Sequence, residues 1–235
     1  MHDSEQPGSR RSSGKLSQAA VLREALAIAD RDGLENLTMR KLATALGSAP
    51  MSLYRYFPSK GAIEARLLDH VIGSTMATEH DTADFRSWMQ TTFRSVRRSL
   101  LDHPGVLPLL GTSASFGPHA MRALDRVLAR LRAHGLDEAE AARSVKILMN
   151  YTLGAVVLEN GVRRKAERPA PRATGSRRRA ELPRGDDLPR VRELADVLEN
   201  VSADDSFDEG LDRVLEVIAV ERGDRSSMMR PARSR

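Results

Sequence analysis

An all-α fold is predicted from three features of the sequence. Apolar residues recur every three to four positions through most segments, no strand alternation competes with them, and glycine or proline stands at the breaks. The third feature is residues 38–60, TMRKLATALGSAPMSLYRYFPSK, which read as two short helices bent around a glycine turn.

The elements follow in order. Ala19, Leu22, Leu26 and Ala29 share a helical face, giving a first helix that ends near Asp32-Gly33. Met39, Leu42, Ala43 and Leu46 make the next helix apolar on one side, while Arg40, Lys41 and Thr44 point away. Thr38 is placed to cap its start, and Gly47 to end it with positive φ. Pro50 opens the second helix of the pair, Leu53 and Phe57 anchor it, and Pro58 stops it after about two turns. Its outward set is Met51, Ser52, Tyr54, Arg55 and Tyr56, which suits the major groove of DNA. Ser59 caps a fourth helix striped by Ile63, Leu67 and Val71, which runs to about residue 78 and joins the head to the rest of the chain as a lever. Further helices are expected over 85–103, 118–133, 137–161 and 207–220, with a turn at 106–110 and a weaker helix over 188–200.

Two carboxyl-terminal segments carry more apolar residues than one inward face needs. Val145, Met149, Thr152 and Val156 in one, and Leu211, Leu215 and Ile218 in the other, are therefore expected to pair with their copies in a homodimer, Gly154 allowing close approach. A dimer would set two recognition helices roughly one DNA turn apart, ~34–36 Å, over a palindromic operator.

Composition narrows the function classes. Zero cysteines exclude disulfides and thiolate metal sites, and no run of eighteen apolar residues exists, so a cytoplasmic protein with no membrane contact is expected. The net charge of +5 is local: residues 163–192 hold eleven Arg or Lys against four acids, while residues 16–73 hold seven against six. DNA affinity must then come from the placement of single side chains. The six histidines lack metal-ligand spacing, and no GxSxG, P-loop or GxGxxG occurs, so no enzyme and no cofactor are expected. The domain reading is an arm over 1–15, a helix-turn-helix head over 16–73, and a helical domain over 74–222 that is expected to dimerise. The latter contains a mobile basic loop at 163–186, and a tail covers 223–235.

Residues 33–60, GLENLTMRKLATALGSAPMSLYRYFPSK, resemble the amino-terminal domain of the tetracycline-repressor (TetR) family of bacterial regulators. The pattern LT-R-LA--LG-----LY-HF--K is matched at Leu37, Thr38, Arg40, Leu42, Ala43, Leu46, Gly47, Leu53, Tyr54, Phe57 and Lys60. Tyr56 replaces a frequent histidine, and Gly61 a frequent acid. With HPGVLPLLGTSASFGPHAMRALDRVLARLRAHGLDEAEAA and MNYTLGAVVLEN, the resemblance covers most of residues 16–220. It implies a DNA interface of Thr38, Arg40, Pro50, Met51, Ser52, Tyr54, Arg55, Tyr56 and Lys60. Arg40, Ser52, Arg55 and Tyr56 would read bases, and Thr38, Tyr54 and Lys60 would hold phosphates.

It also implies a small-molecule pocket near Thr92, Val96, Leu109, Thr112, Asn150 and Glu159, and a repressor released by its ligand. In the tetracycline repressors a histidine before Leu-Gly-Thr helps to coordinate drug-bound magnesium. Leu109 stands there in this chain and ligates no metal, so the expected effector is more apolar. Two other readings stay open at this point: a DNA-binding regulator without a small-molecule effector, and, more remotely, an enzyme using the helical pocket.

Overall fold

The computed structural model describes residues 16–75, 84–112, 117–167 and 188–228. Among the described residues all regular structure is helical: α1 (Gln18–Asp32), α2 (Met39–Ala45), α3 (Pro50–Tyr54), α4 (Lys60–Thr75) and α5 (Phe85–Asp102) come first. A 3₁₀ segment (Pro104–Gly111) follows, then α6 (Pro118–Ala133), α7 (Glu138–Glu167), α8 (Pro189–Glu193), α9 (Ala195–Asn200) and α10 (Ala203–Met228). The expected arm, 1–15, lies outside the described residues, as do 76–78 of the expected lever.

Local signals act as the sequence implies. Ser17 accepts the Ala20 N–H at 3.1 Å to cap α1, and Thr38 accepts the Lys41 N–H at 3.1 Å to cap α2. Gly47 takes φ of +60° just past α2, where a side chain would be strained. Ser59 caps the start of α4 through the Ala62 N–H at 3.2 Å.

Several expectations are corrected. The inner stripe of α1 is Val21, Leu22, Ala25, Leu26, Ile28 and Ala29, while Ala19 is exposed because it precedes the turn that meets the core. The recognition helix is one turn shorter than expected: α3 ends at Tyr54 and Arg55 caps it. The backbone at 163–167 continues α7 and is not part of a loop as expected, and the rest of the expected basic loop, 168–186, lies outside the described residues. Likewise α10 runs on through 223–228, which were expected in a tail.

Two apolar cores form. One joins α1, α2, α3 and α4 to the 3₁₀ segment, through Leu42, Leu53, Phe57, Ile63, Leu67 and Val106 among others. The second lies between α5, α6, α7 and α10, with Phe93, Leu131, Leu148 and Leu211 fully buried. Each such side chain contributes ~1.5–3 kcal/mol of burial. The head sits tightly on the body: a Cβ on Gly105 would collide with the Ala29 backbone of α1, so only glycine admits this approach.

The expected dimer face is the main correction. Val145, Thr152 and Val156 of α7 and Leu211, Leu215 and Ile218 of α10 are all buried within one chain, and Met149 packs on the same core. They are turned into the interior of the single chain and offer little surface to a partner. The other side of α7 is the apolar face left open: Ile147, Val157, Leu158 and Val162 are exposed, Leu158 by 74%. A Cβ on Gly154 or Gly161 would meet nothing. Val217 of α10 is exposed as well, and α8 and α9 bury no residue at all.

Candidate functional site

The head presents a small outward surface. Leu53 and Phe57 are buried beneath α3, which leaves Met51 75% and Tyr54 45% exposed, Arg55 exposed and Ser52 half-buried. Pro50 occupies the first position of the helix, where no backbone donor is needed. Arg40 and Thr38 are exposed on α2, beside an open dent that they share with Lys41 and Thr44.

Tyr56 and Lys60 brace the head instead of projecting freely. The Tyr56 hydroxyl donates to the Leu16 carbonyl at 2.8 Å, pinning the start of the described chain to the turn after α3. The Lys60 ammonium donates to the Leu34 carbonyl at 3.0 Å and pairs with Glu64 at 3.4 Å. Lys41 pairs with Asp32 at 2.8 Å, and hydrogen bonds from Arg31 and Lys41 lower the Asp32 carboxyl to about 2.

Behind the head lies a cavity of about 480 Å³. Thr92, Phe93 and Val96 of α5 form one wall, and Ala120, Ala123, Leu124, Val127 and Leu128 of α6 another. Val145, Met149 and Leu153 of α7 and Ile72 of α4 close it, and the rim holds Ala142, Lys146 and Asn150. Its size is that of a drug-like ligand site.

The structure thus brings together Thr92, Val96 and Asn150 from the expected pocket and separates the other three. Leu109 is buried in the head-side core. Thr112 is exposed, its hydroxyl donating to the Leu109 carbonyl at 2.9 Å. Glu159 is taken by arginines: Arg97 donates to it at 2.6 Å and Arg163 at 2.6 Å. Arg97 also donates to Asp204 at 2.6 Å and lies over the Phe207 ring at 4.8 Å, so it ties α5 to α7 and α10. Burial disfavours its charge, but the hydrogen bonds to Asp204 and Glu159 prevail and its pKa is raised.

The cavity and the head are joined by a residue that sequence reasoning missed. Asp69 of α4 is buried and accepts the backbone N–H groups of His119 and Ala120, both at 2.9 Å, so it caps the first turn of α6 from another helix. His119 Nδ1 adds a contact at 2.8 Å. Burial pushes the Asp69 carboxyl up, yet the hydrogen bonds from Ala120 and His119 outweigh it and hold the carboxyl below its ordinary value. Two signals were available: an acid inside the apolar run LLDHVI, and a helix opening GPHA with no capping side chain of its own. Asp30 of α1 makes a similar clasp, accepting the Gly105 N–H at 2.9 Å with His103 Nδ1 at 2.8 Å.

Among the described residues no group of three or more His, Cys, Asp or Glu is placed to hold a metal, and no helix is long and apolar enough to cross a membrane.

Comparison with known proteins gives one consistent result. Residues 21–67 match the model of bacterial regulatory proteins, tetR family, and residues 78–221 match the tetracyclin repressor-like C-terminal domain. The chain is 32% identical over 145 residues to the HTH-type transcriptional repressor DrrR1 of Streptomyces coeruleorubidus, covering 60% of this chain and 52% of the relative. It therefore spans about half the length of that protein. A possible TetR family transcriptional regulator from Streptomyces coelicolor A3(2) superposes with a TM-score of 0.71 at 25% identity, covering 87% of this chain and 99% of that one. ActR of Streptomyces coelicolor, in complex with actinorhodin, shares the fold with a TM-score of 0.70 at 21% identity, over 89% of this chain and 100% of that one. These matches are to regulators, not enzymes, and they agree with the motif of residues 38–60 and with the helical body behind it. The chain belongs to the TetR family of bacterial regulatory proteins.

Proposed function

We propose that this chain is a homodimeric transcriptional repressor that binds a palindromic operator and releases it when a small, mainly apolar molecule fills the cavity. The observation that carries the reading is that α4 belongs to both ends. It shares the apolar core of the head with the recognition helix through Ile63 and Leu67, lines the cavity through Ile72, and holds α6 through Asp69.

Met51, Ser52, Tyr54 and Arg55 on the recognition helix, with Arg40 and Thr38 on α2, are the DNA contacts of this reading. The dimer forms through the exposed face of α7, where Ile147, Leu158 and Val162 flank the uncovered Gly154, together with Val217 of α10. A ligand between α5, α6 and α7 displaces α6, and the capped contact passes the displacement to α4, changing the separation of the two heads. Coupling of ~1–3 kcal/mol corresponds to roughly 5–150-fold release, and DNA must weaken the ligand by the same factor. A cavity that the chain's own side chains leave open supports this reading over a regulator without an effector.

Selection of bound fragments from random duplex DNA tests the proposal. An enriched palindrome with half-sites about one helical turn apart is expected. No enrichment would refute it.

A further inference from the structure

The cavity has a polar end and a charge. Its deep walls are apolar, with Ile72, Phe93, Val96, Ala123 and Val127 buried, and among the described residues no acidic side chain and no histidine lines it. The polar side chains of the lining are Thr92, Lys146 and Asn150. Lys146 and Asn150 lie four residues apart on α7, so they share one face and meet at the rim.

Lys146 has no carboxylate within helical reach. Its neighbours three and four residues away are Arg143, Met149, Ala142 and Asn150, so Arg143 adds positive charge and none of the four is acidic. Among the described residues its ammonium makes no ion pair. A strongly hydrated cation on a flexible stem at the mouth of an apolar chamber selects what enters. It favours an anionic oxygen at the rim, which Asn150 can also serve through its amide donors. A cationic ligand would meet the Lys146 ammonium and, among the described lining residues, no acid.

We infer that the effector of this chain is an apolar molecule bearing one anionic oxygen group, a carboxylate or phenolate, seated on Lys146 and Asn150 at the rim with its apolar body between α5 and α6. This rests on the reading of the cavity as an effector site.

Three fluorescent probes of one shape test it on the full chain: anthracene-9-carboxylate, the neutral 9-anthracenemethanol and the cationic 9-(aminomethyl)anthracene. The carboxylate should bind about tenfold more tightly than the alcohol, and the amine most weakly. Lys146→Met, on the surface, should abolish the preference for the carboxylate over the alcohol. Leu128→Trp, which fills the chamber, should weaken all three; thermal unfolding of each variant verifies that it is folded. Equal binding of carboxylate and alcohol to the native chain, or a preference that survives in Lys146→Met, overturns the anionic effector. If the alcohol is still lost in Leu128→Trp, the effector cavity itself stands. Failure of all three probes to bind the native chain overturns both.

Discussion

The Asp69 carboxylate of α4 accepts the backbone N–H of Ala120 at 2.9 Å, and Ala120 lines the cavity behind the head. One oxygen therefore ties α4, which carries the helix-turn-helix head, to the first turn of the helix that walls the cavity. The same oxygen accepts the His119 N–H, so α6 cannot move at this end without α4 moving or two buried or half-buried donors losing their acceptor.

Replacing Asp69 by alanine removes the cap from α6. The expected cost is about 1–3 kcal/mol, read by denaturant unfolding, because one deleted carboxylate leaves two backbone donors unpaired. A second readout separates transmission from stability: the factor by which a bound probe weakens operator affinity should shrink toward one. An unchanged factor would mean that displacement passes to α4 by another route, such as the Ile72 contact.

Acidification should loosen the junction between head and body through His70. Burial is the largest influence lowering its pKa, and the neighbouring His119 and His103 charges add to it, as does Arg23, with Asp69 opposing. A folded-state pKa below the unfolded value near 6.5 means that the unfolded chain binds more protons. This contribution is therefore complete above about pH 6.5 and is lost as pH falls through the lower, folded value. Asp69, whose pKa is also lowered, holds its contribution above the ordinary carboxyl range near 3.8 and loses it only in stronger acid. Melting profiles between about pH 7.5 and 5.5 should slope less in His70→Asn than in the native chain; parallel profiles would remove His70 from the account.

Leu158→Glu should yield a monomer, seen by light scattering on a sizing column, with the helical content kept. The side chain is 74% exposed in the single chain, so charge there disturbs only what docks on it. Leu211→Ala tests the opposite case. Leu211 is fully buried, and its truncation should cost ~2–5 kcal/mol in folding instead of acting selectively on association.

In the head, Arg55→Ala should cost ~1–3 kcal/mol of operator binding and relax preference at one base pair, measured by competition among operator variants. Lys60→Met should behave differently. Its ammonium is held by the Leu34 carbonyl and by Glu64, so the salt dependence of DNA binding should stay within error of the native slope while the head loses stability. A slope reduced by about one would restore Lys60 as a phosphate contact.

Legibility in the sequence followed the range of the interactions. Thr38, Gly47, Pro50 and Ser59 act on backbone within three residues of themselves, and each does what its position implies. Of the expected pocket, Thr92, Val96 and Asn150 converge because they lie on long helices whose phase is fixed by their apolar spacing. Leu109 is on a 3₁₀ segment and Thr112 just past its end, where spacing gives no comparable phase, and Glu159 was claimed by an arginine 62 positions away.

By itself the sequence determined an all-α chain, the glycine-turned helix pair with its outward Met51, Tyr54 and Arg55, and an excess of apolar residues on α7. Only the tertiary structure decided which side of α7 turns inward. Helical periodicity gives the angle between residues on one helix but no direction in space, and that direction came from α5, α6 and α10 packing on Val145, Leu148 and Val156. Their choice left Ile147 and Leu158 outside, and the cross-helix cap of Asp69 on α6 joined two segments that no local rule connects.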